Sequence, residues 1–153
     1  MSLGSFFPAD FARMQIERQL QPGVVVKFSA EMDDGKVHEK RFVVLDASEN
    51  TFTCVINSRI SRFIASDANK LKCQVAILAS QHPFMSWDSH VDCSRVRTYS
   101  RAEVIDQLCT NPEWILGVIA LELRDEIVGA LKASRTIPAT VIAHCCASLS
   151  QAN

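Results

Sequence analysis

The sequence predicts a single α+β domain in which a small antiparallel β-barrel lies between one N-terminal helix and a C-terminal helical part. Three observations predict it. Short apolar stretches separated by polar turns fill residues 23–99, the hydrophobic period changes to that of helices from residue 100, and an amphipathic segment at 7–20 precedes the strands. A run of strands followed by helices is typical of α+β domains. The 153 residues correspond to about one domain.

The first predicted element is an amphipathic helix over residues 7–20. Phe7, Phe11 and Met14 recur at helical spacing, and the segment ends where Pro22 and Gly23 follow. We expect this helix to brace the strands or to cover them as a lid.

Five strands are predicted next, because β-branched or alternating apolar residues are bounded by polar turns. The first three are separated by short polar segments around Gly35 and Asn50, as expected of consecutive antiparallel strands. The predicted strands span residues 24–30, 41–45, 51–56, 72–80 and 90–93.

Helices are predicted over residues 100–149. Ser100 and Glu103 have the spacing of a capping box before an apolar run. After Pro112, apolar residues recur every four positions from 115 to 131, which predicts a helix packed on the core. Pro138 opens a last helical stretch, which we expect to fray between 148 and 153.

Composition and charge exclude several classes of protein. The chain is 48% hydrophobic and 22% charged, which argues against a disordered or collagen-like chain. Its 16 Lys and Arg nearly balance 17 Asp and Glu, so any site for a polyanion must be local. No run of 18 apolar residues exists, so we expect no membrane span. The N-terminus does not have the pattern of a secretory signal, and we expect a cytoplasmic protein.

Six cysteines raise the question of disulfides and metals. No two of them have the two-residue gap of a metal-binding pair, so we expect reduced thiols that pack as small hydrophobic residues. His144, Cys145 and Cys146 are adjacent, and successive side chains on a helix point about 100° apart, so they do not face one ion. We therefore predict neither a metal nor a cofactor.

Two other patterns were considered as sites of chemistry. Asp88, Ser89 and His90 contain the residue types of a nucleophile triad, but neighbours in an extended segment alternate faces, and we interpret them as a polar turn entering a strand. The chain has no phosphate-binding glycine pattern, which argues against nucleotide-driven chemistry.

The basic residues are unevenly distributed. Between residues 35 and 72 there are seven Lys or Arg against four acids, whereas after residue 100 there are four against six. A solvated basic face explains this pattern, and so does a shallow groove for a polyanion, in which Arg41 and Arg59 fork onto phosphate oxygens. The aromatic residues suited to base stacking in such a groove, or to the core, are Phe42, Phe63 and Trp87.

Four short segments carry a family resemblance. Residues 23–28 resemble an opening strand after a glycine, and residues 40–45 resemble a strand in which Phe42 replaces the family's proline. In residues 54–58 Asn57 stands where the family has threonine, residues 91–98 resemble its late strand, and Gly117 precedes the apolar run of a helix. In this order, from about residue 23 to residue 132, the chain resembles the toxin family of MazF, PemK and Kid.

This resemblance implies an SH3-like barrel, a homodimer, and an antitoxin protein that lies across the same groove. It also implies a metal-independent endoribonuclease that acts on single-stranded RNA through attack of the ribose 2′-hydroxyl on the adjacent phosphate. Such a reaction needs a base for the hydroxyl, an acid for the leaving oxygen and a cation at the phosphate.

The resemblance assigns Arg41 as the cation and Asn57 as a hydrogen-bond donor to a phosphate oxygen. We expect these two side chains to meet where a strand of nucleic acid passes. Where Kid-like members have an arginine acid and an aspartate base, this chain has Asp92 and Ser94, so both groups are altered. The remaining residues assigned to RNA binding are Lys40, Ser58, Arg59 and Arg62.

Two residues are candidates to replace the altered acid and base. His38 precedes Arg41 by three residues and has a side chain suited to proton transfer near neutral pH, or it is a solvated loop histidine. Asp92 is a base if it faces the groove, or else it pairs with Arg95 or Arg97.

Three functions remain open on sequence alone. The first is the toxin-type endoribonuclease, and the second is a non-catalytic module on the same barrel that binds nucleic acid or protein. The altered acid and base favour the second, because each positioned acid or base group contributes roughly 10²–10⁴ in rate. The third is an unrelated α+β interaction protein.

Overall fold

The computed structural model describes residues 8–151, and all elements named below belong to that part of the chain. It has the predicted α+β fold: a curled, barrel-like antiparallel sheet with one helix before it and helices at its C-terminal end. Phe7, which the periodicity places in the first helix, lies outside the described residues.

The sheet contains seven strands and is accompanied by six α-helices within the described residues. The strands are β1 Val24–Glu31, β2 Val37–Asp46, β3 Asn50–Asn57, β4 Gln74–Ile77, β5 Ser89–Asp92, β6 Arg97–Ser100 and β7 Ile115–Val118. The helices are α1 Pro8–Gln19, α2 Arg62–Ala65, α3 Ala68–Lys72, α4 Arg101–Thr110, α5 Leu121–Ala133 and α6 Ala139–Gln151.

Strand β3 has two neighbours on one of its sides. The strand order is β4-β5-β3-β2-β1-β7, and β6 also pairs with β3. Strand β6 pairs with the first half of β3, where Thr51 faces Tyr99. Strand β5 pairs with the end of β3, where Asn57 faces His90. The segment between β5 and β6 therefore passes the middle of β3 without pairing to it in register.

The sheet is covered on both faces, because successive residues of each strand project to opposite sides. Val25 and Val43 face each other across β1 and β2 and belong to a core shared with α5 and α6, which we call the α5/α6 face. Val26 and Phe42 face each other one position along and belong to a core shared with α1 and α4, the α1/α4 face. Successive residues of a strand therefore alternate between the α5/α6 face and the α1/α4 face.

The aromatic centre of the α1/α4 face is a stack of two rings. The centroids of Phe28 and Phe42 lie 4.2 Å apart with the planes inclined by 12°, and Tyr99 meets both rings edge-on. Phe42 is fully buried. It is a core residue, so of the two roles left open by the sequence, base stacking or packing in the core, the structure shows the second.

The largest difference from the predicted elements concerns residues 115–120. Their four-residue spacing predicts a helix, but Ile115–Val118 forms β7, paired antiparallel with β1, and α5 begins only at Leu121. The edge of β1 supplies backbone partners to this β-branched segment, and such tertiary pairing overrides a helical periodicity. Position 117 of β7 requires a glycine, because the ring of Phe84 packs against it and a Cβ there would lie 2.3 Å from that ring.

Other elements differ in extent. Strand β2 begins at Val37 rather than at residue 41, because it forms a long hairpin with β1, and β4 is shorter than predicted. Strand β6 and the short helices α2 and α3 were not predicted. Helix α6 continues through Gln151 instead of fraying from residue 148, because Leu149 is fully buried against the core.

Two predictions on local chemistry are confirmed. The Ser100 hydroxyl accepts a hydrogen bond from the backbone N–H of Glu103 and caps α4. The six cysteines are free, and five of them are buried. Burial raises the pKa of Cys145 to about 12, which keeps this thiol protonated at neutral pH.

None of the helices between residues 8 and 151 has the length and apolar character that crossing a bilayer requires.

Candidate functional site

A groove of about 1120 Å³ lies beside the end of β3. We call it the basic groove. It runs between the β1–β2 hairpin, the segment from β3 into α2, the turn between β5 and β6, and the start of α6. Five Lys or Arg and His38 line it against three carboxylates. The charged residues are Lys40, Arg59, Lys70, Arg95 and Arg97, and Asp33, Asp34 and Asp92.

Lys40 and Asn57 are the centre of the groove wall. Lys40 Nζ donates a hydrogen bond of 3.1 Å to Asn57 Oδ1, because the two residues project from the same face of β2 and β3. Burial lowers the pKa of Lys40, and the nearby positive charge of Arg97 lowers it further. Lys40 has no carboxylate partner within residues 8–151. The wall thus holds two neighbouring cations that an anion would stabilise.

Arg97 is the more deeply placed of these two cations. Its side chain is only 10% exposed, and one guanidinium nitrogen, Nη2, lies 3.2 Å from Asp33 Oδ2. Its Nε is buried and has no hydrogen-bond acceptor in the described part of the chain. Buried donors nearly always have a partner, so this Nε–H has capacity to bind a ligand in the groove.

Asp33 supplies an internal anion to the groove. Its carboxylate lies 2.6 Å from Arg95 Nη1 as well as 3.2 Å from Arg97. Burial raises the pKa of Asp33, but the hydrogen bonds and charges of the two arginines outweigh burial and hold this pKa below its ordinary value. The β1–β2 hairpin is therefore fastened across one end of the groove by an ion pair that a bound polyanion would compete with.

His38 lies in β2 rather than in a loop, and it lines the groove. Its Nε2 is 2.7 Å from Asp34 Oδ2. The hydrogen bond from the backbone of Lys36 and that from His38 lower the pKa of Asp34, which keeps this carboxylate ionised. A carboxylate that contacts one ring nitrogen fixes the orientation and tautomer of the imidazole, the arrangement used by histidines that transfer protons.

The predicted meeting of Arg41 with Asn57 is wrong. Arg41 faces Ile56 across β2 and β3, so Asn57, one residue later, projects to the opposite side of the sheet. Arg41 instead lines a smaller cavity of about 280 Å³ on the α5/α6 face, together with Ser58 and Trp87. The alternation of strand residues therefore divides the expected phosphate ligands between two cavities.

Asp92 lines the groove, but its carboxylate stabilises the turn that follows β5. Its Oδ1 accepts hydrogen bonds from Gln74 Nε2 at 2.8 Å and from both the backbone and the hydroxyl of Ser94. The alternative pairing of Asp92 with Arg95 or Arg97 is also wrong, because both arginines bind Asp33.

The remaining predicted residues are divided in the same way. Arg59 lines the basic groove, Ser58 lines the smaller cavity, and Arg62 is the exposed first residue of α2 outside both. Phe63 is 72% exposed at the groove, where Lys70 Nζ lies 4.1 Å from its ring centroid. Phe63 is thus the aromatic residue placed to stack on a ligand in the groove.

Three groove cations, Arg95, Arg97 and Lys70, were not assigned to the site by the sequence analysis. Arg95 and Arg97 belong to the late segment, and their alternation around Val96 indicates a common face once β6 is recognised. Lys70 lies in the short helix α3, which carries no periodic signal. His90 faces Asn57 in register but is not among the residues that line the groove.

Within the described part of the chain, no three His, Cys, Asp or Glu residues are grouped so that they could hold a metal ion. His144 Nε2 contacts Asp46 Oδ2 at 2.9 Å, whereas Cys145 and Cys146 are buried in the core. His144 thus lies in different surroundings from the two cysteines, which share one core.

Comparison with known proteins gives no family assignment: no family model and no curated protein matches this chain.

Proposed function

We propose that the basic groove binds single-stranded RNA and that the Lys40, Asn57 and Arg97 cluster holds one of its phosphates. The observation that carries this proposal is the pair of neighbouring, partly buried cations, of which Lys40 has no carboxylate partner within residues 8–151. Nucleic-acid phosphates satisfy this arrangement, because charge-assisted hydrogen bonds from Lys and Arg are the main source of affinity for a polyanion.

The donors of the cluster suit one phosphate group. Lys40 Nζ has further N–H donors beyond its bond to Asn57, and the amide nitrogen of Asn57 is a donor that this bond leaves unused. The buried Nε of Arg97 provides a third donor. Phe63 offers an exposed ring for a neighbouring base, which favours a single strand, since paired bases are already stacked. The preference for RNA follows the resemblance to the toxin barrels.

A second candidate function is cleavage of the bound strand, and the contact between His38 and Asp34 favours it. In this reaction His38 takes the proton of the ribose 2′-hydroxyl while the 2′-oxygen attacks the phosphorus. The bond to the 5′-oxygen breaks, and Lys40, whose lowered pKa makes it a better acid, protonates that oxygen. The products are a 2′,3′-cyclic phosphate and a 5′-hydroxyl end.

The resemblance also leads us to propose a cytoplasmic toxin that forms a homodimer and is blocked by an antitoxin protein. An acidic antitoxin segment suits a groove lined by five Lys or Arg and three Asp. Size-exclusion chromatography with light scattering tests the dimer, and a monomer at micromolar concentration would contradict it.

The deciding experiment combines binding and cleavage on one preparation. A fluorescent single-stranded RNA is titrated with the protein in excess chelator, and the RNA is then analysed for cyclic phosphate ends. Binding that Lys40→Ala weakens and Lys72→Ala leaves unchanged supports the groove, because Lys72 is exposed on α3 outside it. Bound but intact RNA would reject cleavage and leave a binding module, and the absence of binding would reject both functions.

A further inference from the structure

The smaller cavity on the α5/α6 face is a second cationic site, separated from the basic groove by strand β2. It holds about 280 Å³, a quarter of the volume of the groove, so it accommodates a small group rather than a strand. Lys40 borders both cavities, but its Nζ is bonded to Asn57 Oδ1 on the groove side. The residues that matter here are Lys27, Glu39, Arg41, Ser58 and Trp87.

Arg41 lacks a partner for its buried donor. Its Nε is buried without a hydrogen-bond acceptor in residues 8–151, and its guanidinium carbon lies 5.8 Å from the ring centroid of Trp87. None of the ion pairs between described residues involves Arg41. A guanidinium whose Nε–H edge is free presents two parallel donors, which match two oxygens of one oxyanion.

The charge around Arg41 attracts an anion. Lys27 and Arg41 project from the same face of β1 and β2 into the cavity, and Glu39, 3.4 Å from Lys27 Nζ, is the one carboxylate among its lining residues. Lys40 projects from the opposite face, where its Nζ is bonded to Asn57, so these three side chains leave the cavity a net charge of +1. Ser58 adds a hydroxyl to the wall, and a tetrahedral phosphate has oxygens to accept from it as well as from the guanidinium.

We propose that the Arg41 cavity binds one phosphate monoester group, either as a free small molecule or as the 5′-terminal phosphate of a nucleic-acid strand. The guanidinium edge of Arg41 holds two of the phosphate oxygens, and Lys27 offsets part of the remaining charge. This site stands independently of the function proposed for the basic groove, because inorganic phosphate is sufficient to test it.

Trp87 provides the signal for the experiment. The chain has two tryptophans, so Trp114→Phe leaves Trp87 as the only one, beside the proposed ligand. Inorganic phosphate is titrated against this variant while sodium chloride keeps the ionic strength constant. We expect a saturable change in fluorescence that Arg41→Lys weakens by about tenfold or more, because lysine keeps the charge but loses the paired donors. Arg18→Lys, at an exposed position of α1, serves as the matched control and should bind as the parent does.

Calorimetric titration of the natural chain and its Arg41→Lys variant repeats the test without the Trp114 substitution, in case that substitution prevents folding. A titration that does not saturate, or an Arg41→Lys variant that binds phosphate as tightly as its parent, overturns the proposal.

Oligonucleotides distinguish the two sources of the phosphate group. A preference for a 5′-phosphorylated over a 5′-hydroxyl strand that disappears in Arg41→Lys assigns the cavity to a strand end. Saturable binding of phosphate without such a preference assigns it to a free monoester. If neither strand binds but inorganic phosphate does, the function of the groove fails while this site remains.

Discussion

Asp33 on the β1–β2 hairpin and Arg97 on β6 are joined across the basic groove, with Oδ2 and Nη2 3.2 Å apart. Asp33 also pairs with Arg95, so one carboxylate occupies two of the cations that line the groove. An anionic ligand must compete with this internal anion for the same donors. The affinity of the groove is therefore set by the hairpin as well as by its basic residues.

Replacing Asp33 should tighten the binding of RNA. The Asp33→Asn variant keeps the shape of the side chain and removes its charge, which frees Arg95 and Arg97, and we expect an affinity gain of about two- to fivefold, as befits an exposed ion pair. Fluorescence anisotropy with a labelled single-stranded RNA measures it. Glu39→Gln removes a carboxylate outside the groove, so an equal gain in that variant would show a general effect of net charge instead.

Lys40 should account for one phosphate contact. In Lys40→Ala we expect RNA affinity to fall by about tenfold and the slope of log K against log salt to decrease by about one, because one counterion fewer is released. The parallel variant Lys72→Ala should match the parent. An unchanged salt slope in Lys40→Ala would remove this residue from the interface.

His38 should matter for cleavage and not for binding. If the groove cleaves RNA, His38→Ala should lower the rate by about 10²–10⁴ while the dissociation constant changes little. Asp34→Asn should give a smaller loss, because it removes only the group that orients the imidazole. The appearance of cyclic phosphate ends over time measures the rate. Equal rates in the parent and in His38→Ala would exclude this histidine as the base.

The buried carboxylate of Asp46 should make the stability of the protein depend on pH. Burial raises the pKa of Asp46, but hydrogen bonds from His144, Ser48 and Ser148 outweigh burial and lower this pKa below its ordinary value of 3.8. Because the folded pKa is the lower one, the stabilisation is complete above the ordinary value and is lost as the pH falls through the folded value.

Asp46→Asn tests this relationship. We expect it to lower the free energy of unfolding at neutral pH by about 1–3 kcal/mol and to flatten the loss of stability in acid. Urea unfolding at a series of pH values measures both effects. Asp125→Asn, exposed on α5, is the control, and a parent whose acid dependence equals that of Asp46→Asn would contradict the assignment.

Gly117 should tolerate no side chain while Phe84 is present. A Cβ at position 117 would lie 2.3 Å from Cδ1 of Phe84, so Gly117→Ala should cost about 1–3 kcal/mol of unfolding free energy. Combining it with Phe84→Leu should recover part of that loss, which a double-mutant cycle of thermal or urea unfolding detects. Additive losses would show that the strain has another origin.

The fold class was predictable because strong local patterns mark its elements. The apolar stretches of β1, β2 and β3 and the cap at Ser100 are visible in the sequence and agree with the structure. Strand β7 was not predictable from periodicity, because residues 115 and 119 satisfy a helical pattern, and only the edge of β1 decides between the two.

The candidate site was predictable only in part. Lys40, Arg59, His38 and Asn57, which the sequence singled out, line one groove, and the part predicted for them in RNA binding stays a prediction. Arg41 was expected beside Asn57, but it lies on the opposite face of the sheet. The family resemblance rests on residue types along the chain, whereas the face on which a side chain lies depends on the register of its strand. Arg97 was missed because β6 is short and pairs with β3 from a distance in the sequence.

Lys40 and Arg41 are neighbours in the chain, and the backbone of β2 separates the cavities that their side chains enter. Inserting a single residue ahead of them in β2 would transpose the two cations, and it would also turn the apolar positions of the strand inside out. Tolerated length changes in this hairpin should therefore be confined to its turn around Gly35.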